Sequence, residues 1–291
     1  MYKKCNLCMR SCGIDRTAGR RGYCKMSDKM YISRADLHFW EEPVISGTRG
    51  SGTIFFSGCS LGCIYCQNRE ISRGEVGTEV SESELAAHML RLEGLSAHNI
   101  NFVTPTHYAP SVRRAVLLAR GMGLKIPVVY NTGSYDSPET VRLMKDAVDI
   151  FLPDLKYYRG STAEKYSHAK DLPQAARAAI DEMVNITGAP VLDKEGIMTR
   201  GVIARILLLP GHVAEAKLNV KYLYERYGDS IYISLMSQYT PMPDMPKPLD
   251  RRVSLSEYRE LCEYASELGV TRAFVQSTES AGSEYIPPFN T

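Results

Sequence analysis

The chain has 291 residues, 44% of them hydrophobic, with a formal net charge of +2 and a pI near 8.0. That is enough chain for one large α/β domain or two small ones with a substantial core, and too little excess charge to argue for a nucleic-acid partner. No apolar stretch approaches the roughly 20 residues that span a bilayer, and the opening Met-Tyr-Lys-Lys-Cys has no signal-peptide core, so the expectation is a cytoplasmic protein with no membrane partner.

Residues 1–50 are rich in Cys, Arg and Gly and show no sustained helical or strand period. They read as a small Cys-rich metal-binding lobe with a connector, since so few apolar residues need a staple to fold. Cys5, Cys8, Cys12 and Cys24 are spaced C-x2-C-x3-C-x11-C. Four thiolates without an open position suit structural zinc, and equally an auxiliary iron-sulfur cluster. Arg10, Arg16, Arg20 and Arg21 would offset their charge. Seven of the eight cysteines precede residue 67, in two tight groups rather than the spread pattern of a disulfide framework. Cys262 stands apart and reads as a core thiol.

From residue 51 to 291 strand-like and helix-like stretches alternate. Strands are predicted at Thr53 to Phe56, Ile100 to Val103, Ile126 to Tyr130, Asp149 to Leu155, Val202 to Leu208, Ile231 to Leu235 and Ala273 to Val275. Helices are predicted over about Ser81 to Leu95, Ala109 to Gly123, Ser137 to Asp146, Ala214 to Tyr227 and Ser254 to Leu268, with helical material before Gly188. Such alternation implies parallel strands with right-handed crossovers, in an open sheet or a barrel, with ligands at the carboxyl ends of the strands.

Just after the first of these strands stand Cys59, Cys63 and Cys66, in Gly-Cys-Ser-Leu-Gly-Cys-Ile-Tyr-Cys. Three thiolates are too few to close a zinc tetrahedron, but they can hold three irons of a cubane and leave the fourth iron open. The C-x3-C-x2-C spacing, with Tyr65 before the last Cys, resembles the radical S-adenosylmethionine (SAM) superfamily. The run from Trp40-Glu-Glu-Pro through Cys66-Gln-Asn-Arg, with Cys-x-Leu-Cys-x-Arg-x-Cys-Gly before it, is similar to the branch described as pyruvate formate-lyase activating enzyme-like. This resemblance covers about residues 5 to 240.

The resemblance implies an α/β fold with a partial (β/α)6 TIM-like barrel, followed by a C-terminal extension. It also implies a 4Fe-4S cluster on Cys59, Cys63 and Cys66, with the amino and carboxylate groups of SAM on the open iron. Reductive cleavage of SAM would then give methionine and a 5′-deoxyadenosyl radical, with electrons from an external donor such as flavodoxin or ferredoxin. The substrate would be a protein glycine, as for a glycyl-radical-enzyme activase, or a small molecule or peptide. The competing class is a non-catalytic iron-sulfur or zinc protein, which would need neither a cavity nor polar strand ends.

Asn131, where the third predicted strand finishes, resembles the family's ribose-contacting residue, and Tyr65 would lie beside the cofactor. Asp154 and Lys156 resemble the Asp-x-Lys motif of the activases; two residues apart on a strand, they share one face. Arg205, a guanidinium in an apolar strand, needs a buried partner, either a SAM carboxylate or an internal salt bridge. Gln238 and Tyr239 would line the cavity mouth. The chain departs from the family after the second strand: many members carry Gly-Gly-Glu there, the acid holding SAM's amino group, but this chain reads Val103-Thr104-Pro105-Thr106-His107. Thr104 and Thr106 would supply oxygens in its place, and His107 could exchange a proton with the substrate.

Overall fold

The computed structural model describes residues 1–74 and 76–276; the expected C-terminal extension beyond 276 lies outside the described residues. The chain begins with the cysteine-rich segment and then forms β1 (Met30–His38), α1 (Pro43–Ser46), β2 (Ser51–Phe56), α2 (Arg69–Ser72) and β3 (Thr78–Val80). Next come α3 (Glu82–Gly94), β4 (Ile100–Val103), α4 (Ala109–Gly121), β5 (Val128–Thr132), α5 (Pro138–Leu143) and β6 (Ile150–Pro153). Helices α6 (Gly160–Ser167) and α7 (Leu172–Thr187) precede β7 (Val191–Leu192), β8 (Met198–Leu207) and α8 (Val213–Tyr227). The last elements are β9 (Tyr232–Met236), α9 (Leu255–Glu267) and β10 (Ala273–Val275).

The sheet runs β10-β9-β8-β6-β5-β4-β2-β1-β3, with β7 paired to β8. All pairs from β2 to β10 along this path are parallel, so the six strands of the expected barrel are present and β10 adds a seventh. Its ends, β3 and β10, are not joined to one another, which makes an open, partial TIM-like barrel with helices outside. Ser81 and Glu84 close a capping box at the start of α3, and Ser254 and Glu257 do the same for α9.

Alternation within each strand splits the core in two. Tyr130, Phe151, Val202 and Ala204 face the helices. Val129, Ile150, Leu152 and Ile203 face inward, where they meet Ile45 and Met198. Ile45 is fully buried, which is worth about 1.5–3 kcal/mol, and its carbonyl accepts from Asn99 Nδ2 at 2.8 Å. The short α1 thus plugs the barrel interior with apolar side chains. Above it, toward the carboxyl ends of the strands, the inward positions become polar.

Residues 30–38 correct the expectation that nothing before residue 50 has a strand period. They form β1, antiparallel to β2 from Ile32↔Phe56 to His38↔Ser51. A register shift between Ile32 and Arg34 breaks the alternation, and Arg34 and Asp36 on the strand hide its character from a hydrophobicity reading.

Candidate active site

The loop after β2 is shaped by Gly58 at φ 87° and Gly62 at φ 69°, a conformation that non-glycine residues rarely adopt. The Leu61 amide donates to Cys59 Sγ at 3.4 Å, and Cys63 Sγ lies 2.8 Å from Ser167 Oγ. Behind Cys63 a hydrogen-bond chain continues from Ser167 Oγ to the Tyr157 hydroxyl at 2.6 Å and on to the Tyr65 hydroxyl at 2.7 Å. Burial pushes the Cys63 thiol up to about 12 against the pull of Lys156, and also raises Cys66.

The cysteine-rich segment braces this loop from outside. Arg10 donates through Nε to the Ser60 carbonyl at 3.0 Å and through a terminal nitrogen to the His168 carbonyl at 2.6 Å. Its guanidinium stacks 3.9 Å from the Tyr23 ring centre, and the Tyr23 hydroxyl donates to the Leu61 carbonyl at 3.0 Å. A Cβ on Gly58 would lie 2.3 Å from Met26 Cγ and 2.7 Å from the Cys24 carbonyl oxygen. Gly58→Ala is therefore expected to destabilise the protein by about 2–5 kcal/mol, adding positive-φ strain to overpacking, and to lower its iron content. Denaturant unfolding and iron analysis check this; unchanged stability would show that the lobe does not pack tightly on the loop.

Within the lobe Cys5, Cys8 and Cys24 are buried and Cys12 is exposed. They form one electrostatic neighbourhood: burial, then the charges of Cys24 and Cys5, push Cys8 up to about 12, and burial raises Cys24 against the pull of Arg16. Fully buried Arg16 approaches Cys5 Sγ at 3.9 Å and donates to the carbonyls of Ser27 and His107. Among the described residues no three His, Cys, Asp or Glu side chains converge tightly enough to hold a single metal ion. A cubane spreads its ligands over separate corners, and the loop set, facing one open space, fits that demand.

That space is a cavity of about 480 Å³ inside the carboxyl end of the barrel. The structure brings to it the three loop cysteines, Tyr65, Thr104, Asn131, Asp154, Lys156, Arg205, Gln238 and Tyr239. It does not bring His107, which is 1% exposed and lies behind the wall, in the turn Thr106–Tyr108. Thr104 adopts φ 59° and turns the chain away there. His107 Nε2 sits 2.7 Å from the Ser57 carbonyl, and burial beside Arg16 lowers its pKa to about 3. A proton-exchanging role for His107 is therefore corrected to a structural one. Thr106 is likewise turned away from the cavity, with Oγ1 3.3 Å from Thr132 Oγ1.

Glu41 and Glu42 also line the cavity, and sequence reasoning missed both as site residues. Arg205 is the hub. It pairs with Asp154 (Nε to Oδ1, 3.0 Å) and with Glu41 (to Oε2, 3.2 Å), and donates to Asn131 Oδ1. Lys156 Nζ pairs with Asp154 Oδ2 at 2.5 Å. Glu41 Oε1 accepts from Asn101 at 2.8 Å and from Asn131 at 3.5 Å. Burial pulls Asp154 up, but Lys156 and Arg205 hold it below the usual carboxylate range. Burial raises Glu41 and Glu42, opposed by Arg205. The internal salt bridge and the site are thus the same group of residues: each nitrogen of the Arg205 guanidinium has a protein partner, in the wall of an open cavity.

Comparison with known proteins agrees with this geometry. The Radical SAM superfamily matches residues 53–213, more than half of the chain. The protein described as Uncharacterized protein MJ0674 from Methanocaldococcus jannaschii is 26% identical over 281 residues, 92% of this chain and 75% of that protein. SuiB of Streptococcus suis, in a crystal structure with bound SAM, is similar in fold at a TM-score of 0.52 and 13% identity, over 78% of this chain. The match spans half the length of SuiB. A domain of pyruvate-formate lyase-activating enzyme from Bacteroides vulgatus overlaps at a TM-score of 0.40 and 16% identity, over 60% of this chain and 91% of that domain, too loosely to carry an argument. Among the described residues no helix is long and apolar enough to cross a membrane. The family match opens within β2, the strand that delivers the three cysteines, and runs through every strand end that meets the cavity as far as β8, and on this basis the chain belongs to the radical SAM superfamily.

Proposed function

We propose that the protein reductively cleaves SAM at a 4Fe-4S cluster held by Cys59, Cys63 and Cys66, generating a 5′-deoxyadenosyl radical that takes a hydrogen atom from a substrate seated in the barrel cavity. The observation that carries this reading is the convergence of the three thiols and five polar strand-end residues, Thr104, Asn131, Asp154, Lys156 and Arg205, on one cavity of about 480 Å³. An electron carrier has no use for a cavity walled with buried ions, which are costly to desolvate and concentrate at functional sites. In this reading Asp154, Lys156, Arg205 and Asn131 bind and orient the polar parts of SAM. Leu61, Phe55, Val103 and Leu207 keep water from the reacting atoms.

A cavity of this size supports a small molecule or a short extended stretch of peptide, a partner protein's glycine loop included. The single electron each cleavage consumes would come from an external donor such as flavodoxin or ferredoxin. Cys5, Cys8, Cys12 and Cys24, which do not converge on a single ion as they stand, would have to draw together to hold zinc or an auxiliary iron-sulfur cluster, with Arg16 offsetting their charge. The test is anaerobic: the reconstituted, dithionite-reduced protein is mixed with SAM, and the cluster's paramagnetic resonance spectrum and 5′-deoxyadenosine are followed. A spectral shift on adding SAM, with 5′-deoxyadenosine and methionine in equal amounts, is expected. A full cluster that neither responds to SAM nor yields product would overturn the proposal.

A further inference from the structure

Among the described residues, Glu42 is the carboxylate of the cavity wall left incompletely satisfied. Its neighbour Glu41 is fully engaged, by Asn101 and Asn131 on one oxygen and Arg205 on the other. Glu42 is 8% exposed and faces the same cavity, yet its Oε2 has no hydrogen-bond partner among the described residues. A buried acceptor without a partner costs about 1–3 kcal/mol, and more when charged, so such groups call for an explanation. The charges point the same way. Among the described residues, Glu41, Glu42 and Asp154 face two cavity cations, Lys156 and Arg205, and both are already paired with Asp154 or Glu41.

A run of ion pairs stands between Glu42 and the cysteine loop. Lys156 is the cation whose charge reaches Cys63. From it the ion pairs run through Asp154 to Arg205, and Glu42 lies beyond, within the influence of Arg205 and of the Ser234 hydroxyl on β9. Trp40, Phe55, Met236 and Phe274 line the cavity as well, giving an apolar and aromatic wall for a carbon stem.

We propose that Glu42 anchors a cationic group of the substrate, an alkylammonium or alkylguanidinium, whose carbon stem lies along the wall of Trp40, Phe55 and Phe274 and reaches toward the cysteine loop. This deepens the proposed function by naming a substrate class, and it rests on that reading for the direction in which the stem points. The cation restores the missing charge and supplies a donor to Oε2, whereas a neutral group of the same shape supplies the donor without the charge.

The test reads binding alone and so is independent of SAM cleavage. n-Butylguanidinium, n-butylammonium and the neutral isostere N-butylurea are titrated into the reconstituted protein and followed by calorimetry. They are also followed through the indole resonance of Trp40, which needs no assignment because the chain has a single Trp. The two cations are expected to bind about tenfold or more tighter than N-butylurea, as a charge-assisted hydrogen bond implies, and to shift the Trp40 signal. Glu42→Gln keeps the side-chain shape while removing a buried charge; it should level the three affinities and leave SAM affinity within about twofold. Equal binding of cation and urea to the unaltered protein would overturn the proposal without any variant. A preference that survives Glu42→Gln would also overturn it. So would a large loss of SAM affinity in that variant, which would assign Glu42 to the amino group of SAM instead.

Discussion

Replacing Cys59, Cys63 and Cys66 together by Ala is expected to reduce 5′-deoxyadenosine formation to the reagent background and to remove about four iron atoms per chain. The protein should remain folded, because the contacts that tie the loop to the lobe and to α6 do not use the thiols. Arg10 and Tyr23 donate to the carbonyls of Ser60 and Leu61, and the Ile64 amide donates to the Tyr166 carbonyl at 2.9 Å. What the variant loses within the protein includes the contact between Cys63 and Ser167, the one between the Leu61 amide and Cys59, and those of Cys66 with Ser72 and the Asn68 backbone, about 1 kcal/mol each. Any metal held by the separate Cys5, Cys8, Cys12 and Cys24 group should be retained. The informative measurements are iron and zinc content, melting temperature and SAM cleavage on one preparation. Cleavage that persists would move the cluster to other ligands. Cleavage lost together with the fold would show that the cluster, not the lobe, holds the loop.

Much of the barrel was legible in the sequence because its strands are buried on both faces and read as short apolar runs between amphipathic helices. Ile100–Val103 and Ala273–Val275 were predicted with the bounds observed. The third strand was predicted two residues early, at Ile126 to Tyr130 rather than Val128–Thr132. Pro127 explains the late start, since its nitrogen has no hydrogen to give the ladder, and the polar pair Asn131 and Thr132 disguised the end. That shift matters for the site: Asn131 is within β5, where alternation aims it inward beside Arg205, and is not in the turn that follows. β1 was illegible for a different reason, a bulge and two charged residues in a strand whose outer half is only partly buried.

The site shows the same division. Its cysteines were legible because their chemistry is local: three ligands within eight residues need no knowledge of the fold. Asp154 and Lys156 were legible as a short motif at a strand end, just beyond β6, and Arg205 as a charge out of place in an apolar strand. Glu41 and Glu42 carry no such local mark, for they precede the buried turn of α1, and Glu41 finds its partners 60 to 164 residues further along the chain. His107 was misjudged because its place after a strand is shared by residues that face the cavity and residues that face away. The positive φ of Thr104, which no periodicity reveals, decides between them.

Arg205→Leu is expected to destabilise the protein by about 3–5 kcal/mol, a large share of the 5–15 kcal/mol that holds a typical domain together. The leucine fits the space of the arginine stem, so the loss comes from what is left behind. Glu41 keeps only the two asparagine amides, Asp154 keeps only Lys156, and Asn131 Oδ1 loses its donor. The sign of the pH dependence separates stranded charge from poor packing. Burial already raises Glu41 and Glu42 and Arg205 opposes that rise, so in the variant both carboxyls rise further above their unfolded values. A carboxyl raised in the folded state contributes most at low pH and loses that contribution as pH climbs from its unfolded to its folded value. The gap in melting temperature between the variant and the parent protein should therefore be smaller at about pH 5 than at about pH 8. Adding Glu41→Gln, which removes one stranded charge but keeps an acceptor for the asparagine amides, should recover part of the loss. A gap that is the same at both pH values, and that Glu41→Gln does not narrow, would mean that Arg205 serves the barrel through its stem and not through its charge.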